Sequence, residues 1–530
     1  MLPSNILKYT SSCFLAAFSL VLLFPAASEA QAQNEPEVKA KYGINLYAPK
    51  DWNRQQIFLN VMRMARPWIS QGDQAWDDKR PIDVDENGYV RSLLPGQKAA
   101  TIMLTNLTAN FPGGEYIFLY DGEGTFEWKH NGRRISSEPG REVVQVTNKD
   151  RGFTLMQVTS VNPDNYPRNM RFVKAEYEDR LDEVFAPWVL ETWGDADTTR
   201  FMDLTLTNNA TLSEWATRPK MEDRTFWKNG IAWEIAIEYA RLSGQNIWIN
   251  LPHLATDEFI RETAIMMRDQ LPKETTVYYE FSNEVWNGMF RQTHYANEKG
   301  KEEGLGPETW RAGLQYYGKQ CLNMFKILDE VYAGEPKERY NKVIGVQASN
   351  KGAAKIAAEG FDAYKHADSL AGAPYLTFNV PLKKSQWNPN MPTAAVVEAW
   401  SMDQLFEYLR TESLPTCKRW MNELKDLADS LGLAMISYEA GQHLSALGEV
   451  NKNETVVNLL NDANRDPRMG ELYEDYLNHW TEIGGGLICL FNAMQPYTNA
   501  GAWGLLEYVG QDLSTAHKLQ AVKQWASTLD

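Results

Sequence analysis

From residue 200 onward, short β-rich runs and longer helical patterns follow one another without a break. The runs are RFMDLTL (200–206), NIWIN (246–250), TTVYYEFS (275–282), KVIGVQ (342–347), ADSLAGAPY (367–375), LAMISYE (433–439) and GGLICLF (485–491). Between them lie WEIAIEYARLSG, DEFIRETAIMMRDQL and MGELYEDYLNHWTEIG, with apolar residues at helical spacing and glycine at several ends. Such alternation leads to a parallel sheet, because successive parallel strands need a crossover helix that packs back with one hand. Adding YGINLY (42–47) and a helix over DWNRQQIFLNVMRM (51–64) brings the units to eight. The expected fold class is therefore α/β, a closed (β/α)8 TIM barrel.

Residues 65–199 interrupt this rhythm and are too many for one connection. Within them ATIMLTNL, GEYIFLYDGEGTFEW, EVVQVTN and GFTLMQVTSV alternate apolar and polar residues between Gly, Asn and Asp turns, the pattern of antiparallel sheet. The expected organisation is a first part of the barrel over 33–69, an inserted β-sandwich-like domain over 70–175 after the first βα unit, and the rest of the barrel over 176–530. Residues 1–32 read as a cleaved secretion signal: Lys8, then the apolar run FLAAFSLVLLF (14–24), then AASEAQA with small-residue spacing. That run is shorter than the ~20 apolar residues a bilayer requires. The expectation is a secreted or periplasmic protein with no membrane span in its mature form.

Composition excludes some chemistries. A net charge of −16 repels phosphate backbones, so nucleic acid is not an expected partner. Of 4 cysteines, Cys13 leaves with the signal, and Cys321, Cys417 and Cys489 allow at most one disulfide. Neither a CxxC pair nor HExxH occurs, and the 7 His are dispersed, so neither metal nor cofactor is expected. Eighteen Trp and 24 Tyr fill cores, and in an exported protein such rings also suit stacking on sugars.

Barrels of this kind place their chemistry where strands end at the C-terminal face. Strand four ends in Ser282-Asn283-Glu284 and strand seven in Ser437-Tyr438-Glu439. Strand three ends in Asn250-Leu251-Pro252-His253, strand six in Pro374-Tyr375, and strand eight in Phe491-Asn492. Two carboxyls facing each other across a barrel mouth suit glycosidic cleavage, in which one acid protonates the leaving oxygen and one carboxylate acts at the anomeric carbon. A separation of about 5–5.5 Å retains configuration, and about 6.5–9.5 Å admits a water and inverts it. Glu280 lies four residues and about 13 Å of rise below Glu284. It is expected to be a buried structural acid, paired with polar groups near the barrel floor.

The stretch YYEFSNEVWN (278–287) resembles the strand-four signature of the retaining (β/α)8 glycoside hydrolase superfamily that includes cellulase- and mannanase-like enzymes (clan A). The resemblance covers the barrel and is most specific at strands four and seven. It implies that Glu284 is the acid/base, that Glu439 in ISYEAGQH is the nucleophile, and that Asn283 holds the substrate 2-hydroxyl. By the same resemblance Tyr375 contacts the nucleophile, Trp503 forms an aromatic platform after strand eight, and His253 stands at the strand-three end. Trp286 is a candidate sugar platform. The chain departs from the family in having no evident arginine beside the nucleophile, since Arg200 precedes its expected strand and falls at the wrong end of the barrel. Support for Glu439 is expected instead from His443 or Asn45. The implied partner is a β-linked glycan, and the inserted domain is either a scaffold beside the barrel mouth or a glycan-contacting module. The competing reading is a catalytically inactive glycan-binding protein on the same barrel.

Overall fold

The computed structural model describes residues 39–72, 76–106, 113–147, 152–384 and 390–529. The expected secretion signal over 1–32, with Cys13, lies outside the described residues. Eight parallel strands close into a barrel: β1 (Lys41–Asn45), β2 (Thr198–Arg200), β3 (Asn246–Leu251), β4 (Val277–Phe281), β5 (Tyr340–Gly345), β6 (Ser369–Gly372), β7 (Ala434–Ala440) and β8 (Leu487–Leu490). Closure occurs at β1, where Gly43 stands opposite Thr198 on one side and Cys489 on the other. The expected (β/α)8 barrel with an added antiparallel domain is thus the fold of this chain.

The helices ring the barrel because each buries one apolar stripe against the strands. In Leu414–Leu431, the side chains of Leu414, Cys417, Met421, Leu424, Leu427 and Ala428 are buried, and Gly432, at φ 69°, ends the helix in the left-handed conformation that glycine adopts without strain. A large apolar cluster fills the space between strands and helices. A smaller one plugs the barrel itself: Trp248, Val343, Ala371, Ile436, Tyr438, Leu487 and Cys489. Cys321, Cys417 and Cys489 are all buried free thiols.

Two local expectations need correction. RFMDLTL is not a strand beyond its first residue: β2 is Thr198–Arg200, and 202–206 form turns. Phe201, Met202 and Leu204 are buried there, so turn residues packed under a loop carry an apolar pattern that imitates a strand. The segment 51–64 is not a helix either. It forms turns and one 3-10 turn, Val61–Met64, with Asn60 accepting from the Met62 N–H. Its apolar side chains are drawn in two directions: Ile57, Phe58 and Met64 pack with the barrel, and Val61 and Met62 with the inserted sheets. A helix with one apolar face cannot serve both.

The first helix after β1 is Pro187–Trp193, so the inserted sheets stand between β1 and that helix rather than after it. One sheet has the order Ile69–Gln71, Lys98–Met103, Thr154–Val161, Gly124–His130; the other has Arg168–Lys174, Gly114–Asp121, Arg141–Val146, Gly132–Glu138. A separate apolar cluster containing Phe118, Phe126, Met156 and Phe172 draws on both sheets. Leaving from the end of β1, this domain begins on the face where the barrel's strands end.

Gly43 offers a test of closure. A Cβ there would stand 2.6 Å from the Cys489 Sγ and 2.8 Å from the Thr198 carbonyl oxygen. Gly43→Ala is expected to destabilise the protein by about 1–3 kcal/mol through overpacking, read as a lower denaturant midpoint; an unchanged midpoint would show that the seam between β1 and its neighbours yields freely.

Candidate active site

The inner apolar plug ends below a layer of polar side chains, and Arg200 is its centre. At the last position of β2, its guanidinium is fully buried between the rings of Trp248 and Tyr438, 5.4 Å and 5.2 Å from their centroids. Nη2 donates to Glu280 Oε2 at 2.9 Å and to Asn283 Oδ1 at 2.8 Å; Nη1 donates to Glu439 Oε1 at 3.1 Å and to Asn45 Oδ1 at 3.2 Å. The expectation that Arg200 falls at the wrong end of the barrel is therefore overturned. Because β2 ends at 200 instead of beginning there, its last side chain reaches the mouth. Burial pulls the guanidinium toward losing its proton, but Glu280 and Glu439 more than offset this and leave it raised above its ordinary value.

Glu280 is buried, and its Oε2 also accepts from Trp248 Nε1 at 2.9 Å and Asn250 Nδ2 at 2.7 Å. It stands directly beneath the mouth as the counter-charge of Arg200, higher than the expected floor position. Beyond it the chain leaves strand geometry. Ser282 and Glu284 have φ of 61° and 43°, a conformation that disfavours any side chain and recurs at functional sites.

Glu284 is partly exposed at the mouth, with Oε2 accepting from Asn287 Nδ2 at 2.9 Å and Oε1 from the Tyr438 hydroxyl at 3.3 Å. Burial first and the Glu439 charge second push its pKa up to about 8, so it holds a proton at neutral pH. Glu439 follows from a lapse in strand pairing: β7 shifts register against β8 between Ser437 and Ala440. Such irregularities re-aim side chains, and here the successive residues Tyr438 and Glu439 both serve the mouth. Burial raises the Glu439 carboxyl, and Arg200 and the Tyr375 hydroxyl, which donates to Oε2 at 2.9 Å, pull it down. Of the two acids, only Glu439 is paired directly with a cation among the described residues. Nearby, Asp203 in the turn after β2 is pushed up to about 7 by burial and then by Glu439.

The other expected residues divide. Asn283 is buried with its Oδ1 on Arg200 and its Nδ2 donating to Asn208 Oδ1 at 3.1 Å. Asn45 donates to the carbonyl oxygens of Tyr438 and Leu490 and reaches Glu439 only through Arg200, so its direct support of the nucleophile is not found. His443 is likewise one residue removed: Nδ1 meets Asn379 Oδ1 at 2.9 Å, and its ring lies 5.4 Å from both Tyr375 and Trp503. Burial lowers its pKa. Trp503 thus belongs to the Glu439 side of the mouth. His253 packs edge-on against Tyr295 at 5.4 Å, and burial lowers it to about 4. Trp286 packs on the barrel–helix core. Among the described residues neither His253 nor Trp286 is hydrogen-bonded to either acid, and their ring nitrogens His253 Nδ1 and Trp286 Nε1 lack partners. Arg200 aside, the residues missed are Asn208, Asn287 and Tyr438. The short segment NEVWN did contain Asn287 three positions after Glu284, within reach of its carboxyl. Among the described residues, no three His, Cys, Asp or Glu side chains gather as a metal site.

A search of known structures finds similarity at low identity. A GH5 family lichenase from Caldicellulosiruptor sp. F32 is 12% identical, with 63% of this chain and 81% of that one covered and a TM-score of 0.37. A family 5 xyloglucanase from Paenibacillus pabuli is 8% identical, covering 63% and 88%, with a TM-score of 0.34. No protein-family model matches the chain, and no curated protein matches it.

Arg200→Met would leave Glu280 and Glu439 buried without their cation. Breaking a buried pair in this way costs on the order of 3–5 kcal/mol, and the Glu439 carboxyl should rise further once the cation that lowers it is gone. Denaturant unfolding reads the first effect. An Arg200→Met protein as stable as the parent would show that the network is slack.

Proposed function

We propose that this chain is an exported glycoside hydrolase that cleaves a β-linked glycan by double displacement with retention. The observation that carries the reading is the division between the two strand-end acids: Glu284 held protonated by burial, and Glu439 gripped by Arg200 and Tyr375. In the first step a Glu439 oxygen attacks the anomeric carbon as the bond to the leaving oxygen breaks, and Glu284 gives its proton to that oxygen. A glycosyl ester on Glu439 results. In the second step Glu284, now a carboxylate, takes a proton from water; the hydroxyl bonds to the anomeric carbon, and Glu439 departs as a carboxylate. Neutralising Glu439 in the intermediate removes the nearby charge that helps keep Glu284 protonated, so its pKa falls as its task changes from acid to base. Asn283 is fixed by Arg200 and Asn208, and in this reading the remaining hydrogen on its Nδ2 donates to a ring hydroxyl of the substrate.

The pH profile follows from these assignments. The acid must be protonated, so activity is expected to fall as pH rises through about 8. The nucleophile must be ionised, so the acid limb should lie above the ordinary Glu value of about 4.3, because burial raises Glu439. Glu284→Gln should cut turnover about 10²–10⁴-fold and remove the alkaline limb, and Glu439→Gln should abolish turnover. Proton NMR of the first product formed decides the stereochemistry: retention requires the β-anomer first. Initial appearance of the α-anomer would replace double displacement with inversion. No turnover on any of a panel of neutral and anionic β-glycans would leave the inactive binding protein.

A further inference from the structure

A second concave feature lies away from the two carboxyls. A cleft of about 830 Å³ separates the start of the insert, residues 67–70 and 77–88, from residues 216–229 of the connection after β2. The protein carries a net charge of −16, yet this cleft is lined by six cations, Lys79, Arg80, Arg218, Lys220, Arg224 and Lys228, against four acids. Lys79, Arg80 and Arg218 are held by Asp77, Asp78 and Glu234. Lys220, Arg224 and Lys228 make no ion pair among the described residues.

Arg224 is the most telling of the three. It is 3% exposed, and its guanidinium lies 4.1 Å from the Trp68 ring centroid. Nη2 donates to the Arg66 carbonyl oxygen at 2.9 Å, while Nε and Nη1 have no partner among the described residues. No carboxylate offsets its burial, which lowers its pKa to about 9. An enclosed cation with idle donors is costly, and an anion that accepts from it relieves that cost. Guanidinium groups fit the planar oxygens of carboxylates and the oxygens of sulfates or phosphates.

The connection that carries Arg224 and Lys228 also packs on the segment that leaves β1. Trp227, next to Lys228, has Lys50 Nζ 4.0 Å from its ring centroid and Trp52 at 5.9 Å. Both walls of the cleft are thus built from connections that leave β1 and β2 on the face where the barrel's strands end, the face that carries Glu439. We propose that the cleft binds an acidic substituent, a carboxylate or a sulfate, on a glycan whose chain continues into the barrel mouth. The substrate class is then an acid-bearing β-glycan, an inference that rests on the hydrolase reading.

Affinity electrophoresis of the full chain carrying Glu284→Gln separates binding from turnover. Gels containing hydroxyethyl cellulose, carboxymethyl cellulose or cellulose sulfate share one β-glucan backbone and differ in charge. Retardation is expected to be stronger with one of the charged polymers than with hydroxyethyl cellulose, and which one distinguishes carboxylate from sulfate. Lys220→Glu with Lys228→Glu should cut the excess at least about fivefold, and Arg224→Gln should do the same. The two lysines are exposed, so their reversal remains informative even if Arg224→Gln fails to fold. Equal retardation in all three gels, no retardation in any, or an excess that survives the charge reversals would overturn the proposal. Charge-dependent retardation by a protein that hydrolyses nothing would instead remove the hydrolase reading and leave the anion cleft.

Discussion

The site is organised by one buried guanidinium. Arg200 brings together side chains from β1, β2 and β7 and from both the body and the end of β4, through Asn45, Glu439, Glu280 and Asn283. A buried cation is tolerable only where acceptors surround it, and two carboxylates with two amide oxygens meet that requirement. Its planar fork imposes direction as well as charge: each terminal nitrogen bonds one carboxylate and one amide. The strand ends are consequently held relative to one another by hydrogen bonds that apolar packing below could not orient. The plug of Trp248, Val343 and Ile436 keeps the barrel closed, and Arg200 sets what stands on top of it.

Two glutamates in one mouth differ because their neighbours differ. Glu439 meets a cation and a hydroxyl donor, whereas Glu284 meets an amide and a hydroxyl, both neutral. Burial raises both acids, and only Glu439 has a direct ionic partner to oppose it. Glu280 supplies the contrast. It is more deeply enclosed than Glu284, yet it accepts three hydrogen bonds on one oxygen, including one from Arg200. Depth alone does not make an acid reactive; the charge and capacity of its donors decide.

Much of this was legible in the sequence because it is local. Alternating strand and helix patterns placed seven of the eight barrel strands and met the eighth, β2, only at Arg200; period-two runs marked the inserted sheets, and both acids stood at or just past strand ends. The failures are cases where long-range packing dictates local structure. β2 has only three residues, and buried turn residues after it imitate a longer strand, which displaced Arg200. Apolar residues over 51–64 serve two cores, and that imitates a helix. The left-handed backbone at Ser282 and Glu284 and the register shift after Ser437 leave no periodic trace, yet they aim the two acids. Glu284 lies beyond β4, which has ended at Phe281, so strand alternation does not decide where its side chain points.

The site of insertion carries its own consequence. Connections that follow barrel strands emerge on the face where those strands end, so enlarging them builds walls around the mouth without disturbing the closed sheet. Here the two connections after β1 and β2 are enlarged together, and the cleft forms between them. Its cations belong to neither connection alone: Lys79 and Arg80 come from the insert, and Arg218, Lys220, Arg224 and Lys228 from the second connection. Net charge governs what a protein repels at long range, but the Debye length of about 8 Å at physiological salt confines that influence to near neighbours. A chain of −16 can therefore present a locally positive recess to an acidic group held close by the rest of a bound polymer. The acidic balance disfavours free polyanions in solution and leaves anchored ones admissible.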